Sequence, residues 1–297
     1  MAFDLENTSN NTGYALTKGR TDLYLLGLQG SGKSVMIGSV LRYMADAGLL
    51  RYVPLGGARG GDSMQLYYES LMVAIAEGKM PNATPKDALM AMQFDIGRRH
   101  KKPVTLIDYS GRVLKLFSDA DSIGSQAWDN VLGRCLKNDN PKTLLFLFDY
   151  TIISGRDQRF SAIDQEQVLD NALHVISCDG TGRYGEKGCT MGKVANVAVV
   201  VTKSDLMEED LERPLTFDER ADYAFDYLKD RCSSFMNHLG DLCLKHGINA
   251  NHKEHPHQVW VTTFSIGRHA PFVDADARRI AGFIEATTAQ RRLFGRL

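Results

Sequence analysis

The chain has 297 residues, with 35 Lys+Arg against 36 Asp+Glu and a formal net charge of −1; a chain this long buries roughly three-quarters of its unfolded surface. Hydrophobic residues at 43% and charged residues at 24% exclude a disordered chain. The near-zero charge argues against a protein whose main task is gripping nucleic-acid backbone, so no nucleic-acid partner is expected.

Residues 1–20, rich in Asn, Thr, Gly and Ser without a period, are expected as a flexible N-terminal tail. Across 21–297, apolar runs alternate with amphipathic stretches, the βαβ pattern of a mainly parallel sheet covered by helices. Residues 23–26 predict a buried strand and 33–47 a helix, with Val35, Met36, Val40, Leu41 and Met44 on one face. Four glycines among residues 54–61 predict a loop, followed by a helix over 63–77. Alternation at Met90, Met92, Phe94 and Ile96 predicts a strand and 104–107 another, together an antiparallel edge hairpin with the basic run 98–102 at its tip. Further strands are expected at 143–148, 197–201 and 259–264. Helices are expected at 161–177, over 217–246 as one long or two joined pieces, and from Val273 onward. With a Gly-rich loop at 179–193, the reading is a single α/β domain carrying insertions at 54–61, 179–193 and 217–246.

Five cysteines without regular spacing, no basic or apolar leader, and no run near the ~20 apolar residues of a membrane span are read as a reducing, cytoplasmic setting. The 251–257 segment, with three histidines and a glutamate, reads as a polar loop because Pro256 breaks any shared helical face. Cys243 and His246 are expected as helix packing residues. The loop between Cys178 and Cys189 is a candidate lid or partner-binding surface.

Gly27-Leu28-Gln29-Gly30-Ser31-Gly32-Lys33-Ser34 fits G-x-x-x-x-G-K-S/T and lies between a buried strand and a helix, where the chemistry requires it. Glycines let backbone N–H groups curl around phosphate oxygens, and the helix N-terminus adds positive potential. Gly27, Gly30, Ser31, Gly32 and Val35 complete that candidate phosphate-contacting set. Lys33 would reach the β- and γ-phosphates, and the Ser34 hydroxyl would ligate Mg²⁺.

Asp108-Tyr109-Ser110-Gly111 follows the 104–107 strand. The Asp108 carboxylate can hold Mg²⁺ there, and the Gly111 N–H can meet a γ-phosphate. The same spacing at Asp121 and Asp179 ends no apolar strand. Thr202-Lys203-Ser204-Asp205 follows the 197–201 strand. A carboxylate at Asp205 can accept from both the ring N–H and the exocyclic amine of guanine, a pair adenine does not offer, while the Lys203 stem can lie over the base.

In this order the motifs resemble the Ras-like, translation-factor-related class of P-loop GTPases, from Thr21 to Ser265. The resemblance implies a G-domain: a three-layer P-loop NTPase fold with a mainly parallel sheet, one antiparallel edge hairpin and inserted helices. It implies GTP as substrate, GDP as product and Mg²⁺ as cofactor. It also implies Thr84 as a switch threonine on the metal, although a turn cap beside Pro85 remains the alternative. Ser265 would sit in a base-contacting turn after the last strand, and Lys33, Thr84 and Gly111 would carry the hydrolytic role. More narrowly, residues 78–84 look like bacterial double GTPases of conflict or signalling systems.

The chain departs from the family at Arg112, where a water-orienting Gln is usual. Slow hydrolysis, or hydrolysis that depends on another residue or on a partner, is the expectation. Arg59, Arg156, Arg159 and Arg183 stand in loops and are read as solvated surface residues. The expected function is Mg-dependent GTP hydrolysis coupled to a conformational switch that a protein effector reads. The alternatives are a GTP-binding scaffold with little turnover, or a P-loop ATPase or kinase in which Thr202 to Asp205 is coincidence.

Overall fold

A computed structural model describes residues 17–53, 61–79, 89–109, 114, 135–157, 160–177, 190–250, 258–266 and 274–288. Seven strands form one sheet in the order β2-β3-β4-β1-β5-β6-β7. They are β1 (Thr21–Gly27), β2 (Leu50–Tyr52), β3 (Leu89–Ile96), β4 (Lys102–Tyr109), β5 (Lys142–Asp149), β6 (Val194–Thr202) and β7 (Trp260–Phe264). From β4 to β7 all neighbours are parallel. The β2–β3 and β3–β4 pairs are antiparallel.

The helices are α1 (Lys33–Asp46), α2 (Gly61–Ala76), α3 (Tyr150–Ile153), α4 (Ala162–Ser177), α5 (Asp205–Asp210), α6 (Phe217–Arg231), α7 (Ser233–His246) and α8 (Asp274–Thr287). Side chains on a strand alternate between faces, and the central strands are apolar on both. Leu23, Leu25, Leu106 and Val200 pack with α1, α2 and α8. Tyr24, Leu26, Phe146 and Val199 pack with α4, α6 and α7 on the other side. Each fully buried aliphatic side chain of this kind contributes about 1.5–3 kcal/mol of transfer free energy. The result is a three-layer α/β fold in which the carboxyl ends of β1, β4, β5, β6 and β7 open onto one rim.

The structure adds one strand to the sequence reading. β2 is three residues, half-buried Leu50 and Tyr52 around exposed Arg51, paired to Ile96, Asp95 and Phe94, so the antiparallel edge holds two pairs rather than one hairpin. Three residues are too short to display an alternating pattern. Over 217–246 the chain forms two helices that meet at Cys232 (φ −131°, ψ 46°). A reciprocal cap between Thr216 and Glu219 starts the first of them. Arg20, at the end of the stretch read as a tail, is buried and donates to the carbonyls of Phe94 and Val104.

No described helix is long and apolar enough to cross a membrane. Loop 54–60, Cys178, residues 179–189, Cys189 and the 251–257 loop lie outside the described residues.

Candidate functional site

β1 ends at Gly27 and the chain turns through Gly30 (φ 85°) and Gly32 (φ 79°) into α1. Both angles lie in the left-handed region that glycine enters without steric cost. Gly27 answers a different need. A Cβ there would stand 2.6 Å from Ser31 Oγ and 3.0 Å from Leu147 Cβ. The N-cap of α1 is Gly32, no side chain caps the helix, and its first turn holds no acidic residue. The N–H groups of Lys33, Ser34 and Val35 are the helix's first three, which no intrahelical carbonyl reaches, and the helix dipole favours an anion in front of them.

Lys33 is buried, and its Nζ donates to the carbonyls of Gly27 (2.7 Å) and Leu28 (2.8 Å). Burial pulls its ammonium down to about 8, with Asp108 pulling the other way. The strand, the glycine turn and the start of the helix are built from the residues of the sequence motif, with Val35 half-buried at the base of α1.

Asp108, next to last in β4, is wholly buried, and among the described residues its carboxylate is met by no side chain, its nearest donor being the backbone at Tyr109. Burial pushes its carboxyl up to about 6, opposed by the Lys33 charge and a backbone hydrogen bond at Tyr109. A buried carboxylate that no side chain meets is costly unless a cation or donors complete it. Hard oxygen donors such as this carboxylate and the Ser34 hydroxyl are the chemistry of a magnesium site, so the residues present fit that ion.

Thr202, Lys203, Ser204 and Asp205 leave β6 and enter α5. Thr202 Oγ1 lies 2.9 Å from the Ser31 carbonyl, to which it donates, and 3.2 Å from the Phe148 carbonyl, which shares its one proton. Lys203 adopts φ 58°, and its Nζ donates to Asp149 Oδ2. Asp205 is half-buried at the first position of α5. Among the described residues, nothing hydrogen-bonds to its carboxylate or pairs with it. Ser204 N donates to the Phe264 carbonyl at 3.4 Å, which brings the end of β7 beside this segment.

Ser265 follows β7, and its N–H donates to Asp276 Oδ2 at 2.9 Å. That N–H is therefore committed within the protein. Asp276, on α8, is buried and also pairs with Arg220 at 3.3 Å. Asp149 and Asp276 were missed in the sequence reading. The first could have been found as a second acid ending an apolar strand; nothing local marks the second.

Thr84, Gly111, Arg112, Arg59, Arg159 and Arg183 lie outside the described residues. Arg156 is exposed at the surface, as expected, and ion-paired there. It pairs with Glu209 (2.9 Å) and Asp210 on α5, and Tyr150 Oη donates to the same Asp210 at 2.8 Å. Cys243 is buried in the helix layer, and no cluster of three or more His, Cys, Asp or Glu side chains placed to hold a metal occurs among the described residues.

Neither a family model nor a curated protein matches the chain. Among solved structures, the signal recognition particle receptor SRb-GTP/SRX complex from Chaetomium thermophilum is similar at 13% identity and a TM-score of 0.45, over 90% of this chain and 99% of that one. The S. cerevisiae Ski7 GTPase-like domain bound to GTP is similar at 12% identity and a TM-score of 0.40. The same domain bound to GDP and inorganic phosphate gives 13% and 0.40. In both Ski7 comparisons 92% of this chain is covered, and it spans about half, 51%, of that chain. At this level of likeness, the chain's own residues decide what the site can do.

Proposed function

We propose that the protein binds guanine nucleotides with Mg²⁺, hydrolyses GTP to GDP and phosphate, and changes conformation with the nucleotide it holds. The observation that carries the reading is the Thr202 hydroxyl bonded to the Ser31 carbonyl. It fixes the segment bearing Lys203 and Asp205 against the phosphate loop, so that one nucleotide can meet both ends.

In this reading Gly27, Gly30, Ser31, Gly32 and Val35 shape the loop and helix start that receive the phosphates. Lys33 places its ammonium on the β- and γ-phosphates. Ser34 and Asp108 hold the ion, with Thr84 joining them in the GTP state. Mg²⁺ would neutralise charge developing on the transferred phosphoryl group. Asp205 reads the guanine N–H pair, and the Lys203 stem covers the base. Thr84 and the Gly111 N–H would order around a γ-phosphate and relax on its loss, a difference a protein effector can read. Because the Ser265 N–H is already bonded to Asp276, the role of Ser265 is to support the turn at the base rather than to donate from its own nitrogen.

Arg112 in the water-orienting place favours a second reading, a GTP-binding module with negligible turnover. Calorimetry with GTP, GDP and ATP in Mg²⁺, followed by single-turnover phosphate release, tests both. Guanine nucleotides should bind far more tightly than ATP. Equal affinity would defeat the guanine reading, and tight GTP without phosphate release would select the scaffold.

A further inference from the structure

Two of the segments assigned to the base are joined by one arginine from the helical insertion. Arg220 lies on α6, which packs against β7, and its side chain is 17% exposed. Its Nη2 stands 3.3 Å from Asp276 Oδ1 and its Nη1 3.7 Å from Glu208 Oε1. Asp276 belongs to α8 and Glu208 to α5, so a single guanidinium bridges two carboxylates from different elements.

Each carboxylate leads to one of those segments. The other oxygen of Asp276, Oδ2, accepts from Ser265 N at 2.9 Å, which holds the turn after β7. Glu208 stands about one helical turn beyond Asp205 on α5, and its Oε1 also accepts from Leu215 N at 3.3 Å. Beyond the ladder that pairs Thr202 with Phe264, the backbone link between the two segments is long, 3.4 Å from Ser204 N to the Phe264 carbonyl.

The arginine is itself held in place. Its guanidinium carbon lies 5.7 Å from the centre of the Phe217 ring, which Arg279 approaches at 4.2 Å. Asp276 is buried, and burial pushes its carboxyl up against the opposing charge of Arg220. An exposed ion pair does little for a fold. A pair with one member this deeply buried leaves an uncompensated charge when its partner is removed.

We propose that Arg220 is a positioning residue for base recognition: by clasping Asp276 and Glu208 it fixes the Ser265 turn against the start of α5 that carries Asp205, and so sets the preference for guanine. This rests on the guanine reading above and adds to it a residue that acts through others.

The test titrates GDP and ADP in Mg²⁺ against the wild type, Arg220→Met, Asp276→Asn, the double variant and Arg213→Met, each first shown to fold by circular dichroism. The two nucleotides share their phosphates, so the ratio of their affinities isolates the base from any general loosening of the fold. Methionine keeps an apolar stem beside Phe217 and removes the charge. Asparagine keeps an acceptor for Ser265 N and removes the charge that Arg220 pairs with. Arg220→Met should lower the preference for GDP over ADP about tenfold, the size of a coupled pair in one network. Asp276→Asn should lower it too, and the double variant should fall no further than Arg220→Met alone. Arg213→Met removes an exposed pair with Glu219 of the same helix, 3.1 Å long, and should leave the ratio unchanged.

An unchanged ratio in Arg220→Met overturns the proposal, as does an equal weakening of GDP and ADP or a loss that is additive in the double variant. Should Arg220→Met not fold, Asp276→Asn decides alone, and an unchanged ratio there overturns the proposal. Equal affinity of the wild type for GDP and ADP defeats the guanine reading instead.

Discussion

Lys203 Nζ donates to Asp149 Oδ2 at 2.5 Å, joining the first residue beyond β6 to the last residue of β5. Asp149 is 2% exposed and also accepts from Thr151 N (2.9 Å) and Thr151 Oγ1 (2.6 Å), capping α3. One carboxylate therefore fixes a lysine in a left-handed backbone conformation and starts a helix.

Asp149→Asn separates those two duties, because Asn caps as well as Asp but carries no charge. Stability should fall by about 1 kcal/mol, as expected for a pair whose lysine is partly exposed. GTP affinity should fall further, about tenfold, as the lysine loses its anchor. Denaturant midpoints and calorimetry on the same preparation check both.

Thr202→Val keeps the shape and removes the hydroxyl that bonds the Ser31 and Phe148 carbonyls. Losing that donor should cost about 1–2 kcal/mol in urea unfolding. It should weaken GTP and ATP alike, because it loosens the phosphate loop rather than the base contact.

Gly38→Ala sets two effects against each other. Alanine improves helix propensity by about 1 kcal/mol. Its Cβ, however, would stand 2.7 Å from Leu71 Cγ, a branch atom that cannot swing clear, and overpacking costs about 1–3 kcal/mol. Overpacking should win. The variant should be less stable by chemical denaturation.

The phosphate loop was legible because each of its glycines answers a local need: positive φ at Gly30 and Gly32, close approach at Gly27. Asp108 was legible because it ends an apolar run. Asp276 was not, since the acids at the start of α8 resemble an ordinary solvated first turn, and only the packing of α8 aims one at Ser265. The sequence left 217–246 open as one helix or two, because the apolar period runs through Cys232.

At the other end of the sheet Lys142 is buried. It donates to the carbonyls of Asn138 (2.8 Å) and Asn140 (2.9 Å) beside buried Asp22. Burial pulls its amine from 10.5 down to about 8. Below about pH 8 both the folded and unfolded chains hold this proton. Between about 8 and 10.5 the unfolded chain holds more of it, so this group makes stability rise with pH across that window. Lys142→Met removes the contribution. The wild-type minus variant difference in unfolding free energy should therefore grow from pH 8 to pH 10, measured by urea titration at each pH.

The most direct measurement compares GTP, ATP and xanthosine triphosphate binding by the wild type and Asp205→Asn in Mg²⁺. A carboxylate accepts from guanine, whereas an amide can also donate to the carbonyl that xanthine carries in place of the amine. The wild type should prefer GTP over ATP by at least about a hundredfold. Asp205→Asn should lose that preference and gain affinity for the xanthine nucleotide. An unchanged GTP preference in Asp205→Asn would contradict the assignment of Asp205 as the base-reading residue, and with it the account of the site.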